Sequence, residues 1–373
     1  MVAAASVVVA VGTATGMMSA LDDGRGSDEA RPEVTDSPTL DLRPPAPSPS
    51  PSATEPASPS ASPKKKAASP TPSPTKTEKK QETAAVSTRL YRHPESQVLD
   101  WVRANPGDAR QDVIRSRIAD QPAAVWFADY TPATITARVR AVTSGGAAQG
   151  RVPVVVAYGI PGRDCGGASE GGAPDLDAYD AWIDRFAAGL GSGEVVVILE
   201  PDSIAQSECL SAAQRADRFA SLARAGRTFK DTNPKARVYF DAGHSGWHPA
   251  AKQADLLRQA GAASAASSDG VFSNVSNFHR TADEIAYDRR VLDALGGPAS
   301  LGAVIDTSRN GNGAPPDGEW CDPDGRKLGR APTLNTGEAR IDGYLWVKLP
   351  GESDGCKGSP GTFTPSYAYD LAR

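Results

Sequence analysis

Hydrophobic positions from about residue 89 onward fall into two alternating patterns. Short apolar runs rich in valine and isoleucine alternate with longer segments in which apolar residues recur every three or four positions. The short runs predict buried parallel strands, and the longer segments predict amphipathic helices. Strands are predicted at 123–127, 152–158, 195–199, 236–240, 270–275, 302–306 and 343–348, and helices at 97–102, 132–143, 177–190, 211–229, 250–260 and 281–295. The repeated strand–helix unit predicts an α/β fold, a parallel barrel of about seven or eight strands.

The strand predicted at 195–199 leads directly into Glu200, Pro201 and Asp202. Its five apolar residues are too few for an average helix, and Pro201 ends strand pairing. Active sites in parallel α/β folds are built at the carboxyl ends of the strands. We therefore expect Glu200 and Asp202 at the mouth of the barrel, with Asp202 as the proton donor of a hydrolase.

The N-terminal part of the chain has a different composition. Residues 1–22 are mostly small and apolar and lack Lys and Arg before Leu21, which is typical of the core of a secretory signal or of a weak membrane anchor. Residues 23–88 are dominated by Pro, Ser, Ala, Thr and charged residues, which predicts a disordered, extended linker. We predict three parts: a signal or anchor at 1–22, a linker at 23–88 and a catalytic domain at 89–373.

Charge and composition narrow the class of protein. The formal net charge of −5 shows no basic footprint of a nucleic-acid binder. The four histidines do not form a zinc-protease motif, so neither a metal nor another cofactor is expected. The four cysteines have no CxxC spacing, and in an exported protein they predict two disulfides, with three pairings open.

Acidic and basic residues follow several predicted strands. They are Asp164, Asp202, Asp241, Asp306, Arg309, Lys348, Glu352 and Asp354. Carboxyl groups gathered in one cleft repel one another, so at least one should keep its proton near neutral pH. A neutral acid beside ionised carboxylates is the equipment for glycoside hydrolysis. Any single aspartate could instead cap a helix, Asp202 included, but the set favours a catalytic site.

Aromatic residues accompany these groups at Trp126, Tyr158, Trp247, Trp320 and Trp346. Aromatic faces in a cleft bind the C–H faces of sugars, although a single Trp is more often part of a core. Trp247 and Trp320 lie in predicted loops, where exposure is expected.

Five blocks in fixed order carry a resemblance to a known family. They are YGIPGRDC at 158–165, LEPDS at 199–203, DAGHSGW at 241–247, NTG at 335–337 and WVKLPGESDG at 346–355. Together they resemble the signature of glycoside hydrolase family 6, the cellulases. The resemblance covers nearly all of residues 95–373 and implies a distorted seven-stranded α/β barrel that cleaves β-1,4-glucan with inversion of configuration.

The same resemblance implies roles for individual residues. Asp202 matches the general acid, and Asp164 matches the aspartate that tunes its pKa and helps to place the nucleophilic water. Asp354 matches the proposed base, and Asp241 matches a further cleft aspartate. Whether Asp354 acts directly or a water relay through Asp164 replaces it is left open.

Further positions follow from the resemblance. Tyr158 matches the ring that presses on the distorted sugar, and Ser169 matches a loop residue near the water. The implied sugar-binding residues are Trp126, Arg163, Trp247, Trp320, Lys348 and Glu352. The family pairs Cys165 with Cys209 and Cys321 with Cys356.

The loops decide between two modes of attack. In the family that the chain resembles, exo-acting members roof the cleft with long insertions. The segments from Asp202 to Cys209 and from Asp354 to Tyr367 are short here, so the resemblance implies an open cleft and an endo-acting enzyme. The alternatives are an exo-acting cellobiohydrolase of the same family and a non-catalytic polysaccharide-binding protein. We expect a secreted monomer that acts on β-1,4-glucan, with tethering to the cell surface left open.

Overall fold

The structure is a computed structural model that describes residues 89–167 and 169–373. The predicted segments 1–22 and 23–88 lie outside the described residues. None of the helices in the described part combines the length and apolar character that crossing a bilayer requires.

Seven parallel strands form one curled sheet in which each strand pairs with the next along the chain. They are β1 Val125–Phe127, β2 Val154–Ala157, β3 Val195–Leu199, β4 Ala236–Asp241, β5 Gly270–Ser273, β6 Gly302–Asp306 and β7 Ile341–Leu345. The described β1 and β7 form no ladder with each other, but the Ala124 amide donates to the Trp346 carbonyl (2.9 Å) across the seam between them. The expected distorted seven-stranded barrel is confirmed.

The helices cover the outside of the sheet. They are α1 Gln97–Ala104, α2 Gln111–Ile114, α3 Ile135–Ala148, α4 Leu176–Ala187, α5 Ala212–Thr232, α6 Ala250–Gln259, α7 Thr281–Leu295 and α8 Pro365–Ala372. Each predicted helix and strand overlaps an observed element. The predictions missed α8 and the short α2, which continues into a π-helical turn at Arg115–Ala119.

Strand β3 shows how the apolar pattern builds the barrel. Val196 and Ile198 point into the barrel interior, whereas Val195, Val197 and Leu199 pack against the helices. All five side chains are at most 1% exposed, and burying each one contributes roughly 1.5–3 kcal/mol. A strand buried on both faces cannot shift register cheaply, so the residues that follow Leu199 are held in place.

Candidate active site

A cleft with a volume of about 1240 Å³ opens beside the carboxyl ends of the strands. Its described lining contains every sugar-binding residue that the family resemblance implied, and every catalytic residue that it implied except Asp241. These residues are Trp126, Tyr158, Arg163, Asp164, Ser169, Asp202, Trp247, Trp320, Lys348, Glu352 and Asp354. The chain therefore brings together groups that lie more than two hundred residues apart in sequence.

Asp202 lies in a strained turn after β3. Its φ of 69° and the φ of 51° at Glu200 are left-handed values that non-glycine residues rarely adopt. The nearest following helix, α5, starts at Ala212, so Asp202 is not a helix cap. Burial, and then the charges of Asp241 and Asp164, raise the pKa of Asp202 to about 8. The Asp202 carboxyl group is therefore protonated at neutral pH.

Asp241 lies behind Asp202, at the end of β4. It is 1% exposed and is not among the described residues that line the cleft, which corrects its expected place as a cleft aspartate. Its carboxylate accepts hydrogen bonds from the amides of Ile204 (3.1 Å), Ala205 (2.8 Å) and Gly243 (2.9 Å). Burial raises the pKa of Asp241, whereas these amides favour its ionised form. The charge of Asp241 contributes to the raised pKa of Asp202.

Asp164 lies in the loop after β2, seven positions beyond Ala157 rather than directly after the strand as expected. Its φ of 54° is left-handed. The carboxylate Oδ2 accepts hydrogen bonds from the amide (2.8 Å) and hydroxyl (3.0 Å) of Ser169. The Ser169 hydroxyl also bonds the Tyr158 hydroxyl (2.8 Å). Asp164, Ser169 and Tyr158 thus form one hydrogen-bonded chain along this wall.

Arg163 holds the residues of this hydrogen-bonded chain in place through backbone carbonyl groups. Its Nε donates to the Ser169 carbonyl (2.7 Å), and its Nη1 donates to the carbonyls of Ala128 (2.9 Å) and Tyr158. The guanidinium lies 4.2 Å from the centre of the Tyr158 ring. These contacts position the loop and the ring, and a direct contact of Arg163 with sugar stays a prediction.

Asp354 forms the opposite wall and has cationic partners. It contacts Arg309 Nη1 (2.7 Å) and Lys348 Nζ (3.3 Å) and accepts from the Asp322 amide (3.2 Å). The Arg309 side chain is fully buried. Asp322, which the sequence did not single out, in turn accepts from the amides of Asp354 (2.7 Å) and Cys356 (3.0 Å). Two cationic side chains and the Asp322 amide thus hold the Asp354 carboxyl group in place.

Two disulfides brace the two walls. Cys165 pairs with Cys209 and joins the Asp164 loop to the segment after Asp202. Cys321 pairs with Cys356 and joins the Trp320 loop to the Asp354 segment. Both bridges confirm the pairing that the family resemblance implied.

Four of the five aromatic candidates line the cleft, Trp126, Tyr158, Trp247 and Trp320, and the fifth lies in the core. The Trp126 indole donates to the Val347 carbonyl (2.7 Å) and meets the Tyr158 ring edge-on at 5.2 Å. Trp320 is 57% exposed, as expected for a loop residue, and Trp247 is half-buried at the cleft. Trp346 is 3% exposed and packs in the core, so its candidacy as a sugar platform was wrong.

Three other charged candidates are buried away from the cleft. The Glu200 carboxylate accepts from the amides of Gly159 (2.9 Å) and Ile160 (3.0 Å), and Asp306 accepts from the amides of Ser276, Ser308 and Lys348. Neither residue, nor Arg309, is among the described residues that line the cleft. Glu200 and Asp306 pin loops, which corrects the expectation that their carboxyl groups face the cleft.

Glu352, two positions before Asp354, lies in a different electrostatic environment. Burial raises the pKa of Glu352 to about 7, and the neighbouring charges of Lys348 and Arg309 oppose that rise.

Among the described residues, no cluster of three or more His, Cys, Asp or Glu side chains could hold a metal ion.

A parallel barrel whose cleft combines a protonated carboxyl group, further carboxyl groups and aromatic faces defines a hydrolase of the glycosidase class. The chain belongs to glycosyl hydrolases family 6, whose family model matches residues 80–369. It is 53% identical over 291 residues to Endoglucanase 1 of Streptomyces sp. (strain KSM-9), across 78% of this chain and 79% of the relative. It is 50% identical to Endoglucanase A of Thermobispora bispora, across 77% of this chain and 62% of that relative.

A solved structure is also similar. It is the endoglucanase Cel6 from Mycobacterium tuberculosis in complex with methyl-cellobiosyl-4-deoxy-4-thio-β-D-cellobioside. The two chains are 40% identical with a TM-score of 0.71, and the match covers 77% of this chain and 97% of the other.

Proposed function

We propose that this chain is an endo-acting β-1,4-glucanase that hydrolyses internal glucosidic bonds with inversion of configuration. The observation that carries the proposal is the protonated Asp202 in a cleft that Trp126, Trp247 and Trp320 also line. Two relatives that are at least half identical are named endoglucanases, and the similar solved structure binds a thio-linked cellobioside.

Asp202 acts as the general acid in this mechanism. The leaving oxygen of the scissile bond needs a proton, and an acid with a pKa near the working pH supplies it efficiently. The raised pKa of Asp202 meets that requirement, because Asp241 and Asp164 disfavour a further negative charge beside them. General acid catalysis of this kind contributes roughly 10²–10⁴-fold to the rate.

The nucleophilic water is activated through Asp164 and Ser169 rather than by Asp354 alone. Both oxygen atoms of the Asp354 carboxyl group already contact cations, Oδ2 with Arg309 and Oδ1 with Lys348, so neither is free to accept a proton from the water. The Ser169 hydroxyl connects the Asp164 carboxylate to the cleft, where a water can pass its proton along this chain. Asp354 then stabilises positive charge that develops on the sugar ring, and with Lys348 it orients the substrate.

The open form of the cleft supports internal attack. The loops after Asp202 and Asp354 are short and braced by disulfides, and Trp320 is exposed at the rim. An exo-acting enzyme would need longer segments to roof the cleft. Two disulfides fit an oxidising compartment, so we place the enzyme outside the cell, as a monomer that is either released or tethered to the surface.

Two measurements on soluble carboxymethylcellulose and cello-oligosaccharides test the proposal. The viscosity should fall faster than reducing ends appear, and nuclear magnetic resonance should detect the α-anomer as the first product. The matched control is Asp202→Asn, which should bind the polysaccharide without cleaving it. Release of cellobiose from chain ends without a drop in viscosity would favour the exo alternative, and binding without any cleavage by the unmodified chain would favour the non-catalytic one.

A further inference from the structure

The described lining of the cleft includes polar residues that the proposed chemistry does not use. This group, which we call the N-terminal arm, consists of Arg92, His93, Glu95, Ser96, Gln97 and Gln121. It belongs to the same cavity as Asp202, whose total volume of about 1240 Å³ exceeds the roughly 300–1,000 Å³ of an ordinary small-molecule pocket. The cavity has room for more sugar units than the bond-breaking site alone requires.

Polar groups in the arm have unused hydrogen-bonding capacity. The Gln121 side chain has no hydrogen-bond partner among the described residues, and Arg92 makes one long bond, from Nη1 to the Ala119 carbonyl (3.4 Å). His93 Nδ1 is buried and unpartnered within the described part of the chain. Burial lowers the pKa of His93, so its neutral ring offers one donor and one acceptor. A buried polar atom without a partner, such as His93 Nδ1, costs free energy, and a hydrogen bond to a ligand or to water recovers that cost.

The arm is held rigidly. The Tyr91 amide donates to the Val152 carbonyl (2.8 Å), and the Val152 amide donates to the Arg89 carbonyl (2.8 Å), which fixes the segment to the sheet. The Gln97 amide group bonds the Gly361 carbonyl (2.7 Å) and the Phe363 amide (2.9 Å), which fixes the facing rim. A polar site on a rigid support binds without the entropic cost of ordering it.

We propose that the N-terminal arm is an additional subsite that binds a glucosyl unit of the same glucan chain, at a distance from the bond that is cleaved. Amide, imidazole and guanidinium groups match the hydroxyl groups that ring a glucose unit, because each hydroxyl both donates and accepts. The inference rests on the proposed function and extends it, because it makes the length of the bound glucan a determinant of the rate.

The test is the dependence of kcat/KM on substrate length, from cellotetraose to celloheptaose. In the unmodified chain, kcat/KM should keep rising with length until the arm is filled. Gln121→Ala should lower kcat/KM by about tenfold for the longest substrate, which is the size of one or two hydrogen bonds, and least for cellotetraose. Gln149→Ala, an exposed glutamine at the end of α3, should leave every value unchanged.

Arg92→Met provides a second variant in case Gln121→Ala folds poorly, and it should show the same length-dependent loss. A kcat/KM that does not rise beyond cellotetraose, or a loss that is equal at all lengths in both variants, would overturn the subsite. Failure of the unmodified chain to cleave any cello-oligosaccharide would instead refute the proposed function itself.

Discussion

The two walls of the cleft are built alike, but their aspartates lie in different electrostatic environments. Each wall carries an aspartate on a loop that a disulfide braces, Asp202 beside Cys165–Cys209 and Asp354 beside Cys321–Cys356. In the described part of the chain, Asp202 has no ion pair and lies among other carboxyl groups, whereas Asp354 contacts both Arg309 and Lys348. The same type of side chain thus lies among carboxyl groups on one wall and beside two cations on the other.

This contrast explains how one cleft holds a proton donor opposite a carboxyl group that is paired with cations. Burial and the neighbouring carboxyl groups hold the proton on Asp202, whereas Asp354 contacts Arg309 and Lys348. Removing Asp202 should therefore affect chemistry, and removing Asp354 should affect stability as well. The predictions below separate these two consequences.

The largest effect is expected at the Asp202 wall. Asp202→Asn preserves shape but cannot donate the proton, so kcat on soluble glucan should fall by roughly 10²–10⁴-fold or more. Affinity for the substrate, measured by calorimetry, should change little. Asp231→Asn, at an exposed position on α5, is the control and should keep full activity. Near-normal turnover by the Asp202→Asn variant would show that Asp202 is not the general acid.

Substitution of Asp354 should lower the free energy of unfolding of the protein. Asp354→Asn leaves the fully buried Arg309 paired with Asp322 at 3.9 Å, and breaking a buried pair typically costs about 3–5 kcal/mol. Chemical denaturation should show this loss, whereas Asp202→Asn should show none at neutral pH. Equal stability of the two variants would mean that the walls do not differ as described.

The two disulfides offer a third comparison. They close loops with sequence separations of 44 and 35, and the chain-entropy model assigns about 4 kcal/mol to either loop. Replacing either pair by serines should therefore lower the melting temperature similarly. Activity at a temperature where both variants stay folded should fall more without Cys165–Cys209, because that bridge holds Asp164 next to Asp202. A larger loss without Cys321–Cys356 would contradict this assignment.

A smaller effect is expected on the pH profile. Because Asp202 must be protonated, kcat/KM should decline as the pH rises through about 8. Asp241→Asn removes a neighbouring negative charge, so the pKa of Asp202 should fall and the alkaline decline should begin at lower pH. The comparison requires only initial rates across a pH series. An unchanged or higher midpoint in Asp241→Asn would show that Asp241 does not act on Asp202.

Much of the fold followed from local pattern. Strand β3 was predicted with its observed bounds because a short β-branched run has no helical alternative of that length. The helix α8 was missed because its eight residues carry too short a pattern to be distinguished from a loop. The order of the strands followed from the repeated strand–helix unit, since consecutive parallel strands tend to be neighbours.

The sequence predicted most of the residues that line the cleft, but it did not predict the charges that surround each of them. The motif residues reach one cleft, yet the left-handed turn that aims Asp164 and the burial of Glu200 depend on contacts distant in sequence. The Arg309–Asp354 pair joins residues 45 positions apart. Asp322 accepts a hydrogen bond from the Asp354 amide, and no motif in the sequence pointed to it. Charge environments arise from such long-range contacts, which no local pattern encodes.

The most direct test of the account is a titration of the Asp202 carboxyl group itself. Difference infrared spectroscopy of the unmodified chain against Asp202→Asn isolates the carbonyl stretch of the protonated acid. The account predicts that this band is present near neutral pH and disappears with a midpoint at about pH 8. A band that is already absent at neutral pH would show that Asp202 is ionised there, and the account of Asp202 as a protonated general acid would be refuted.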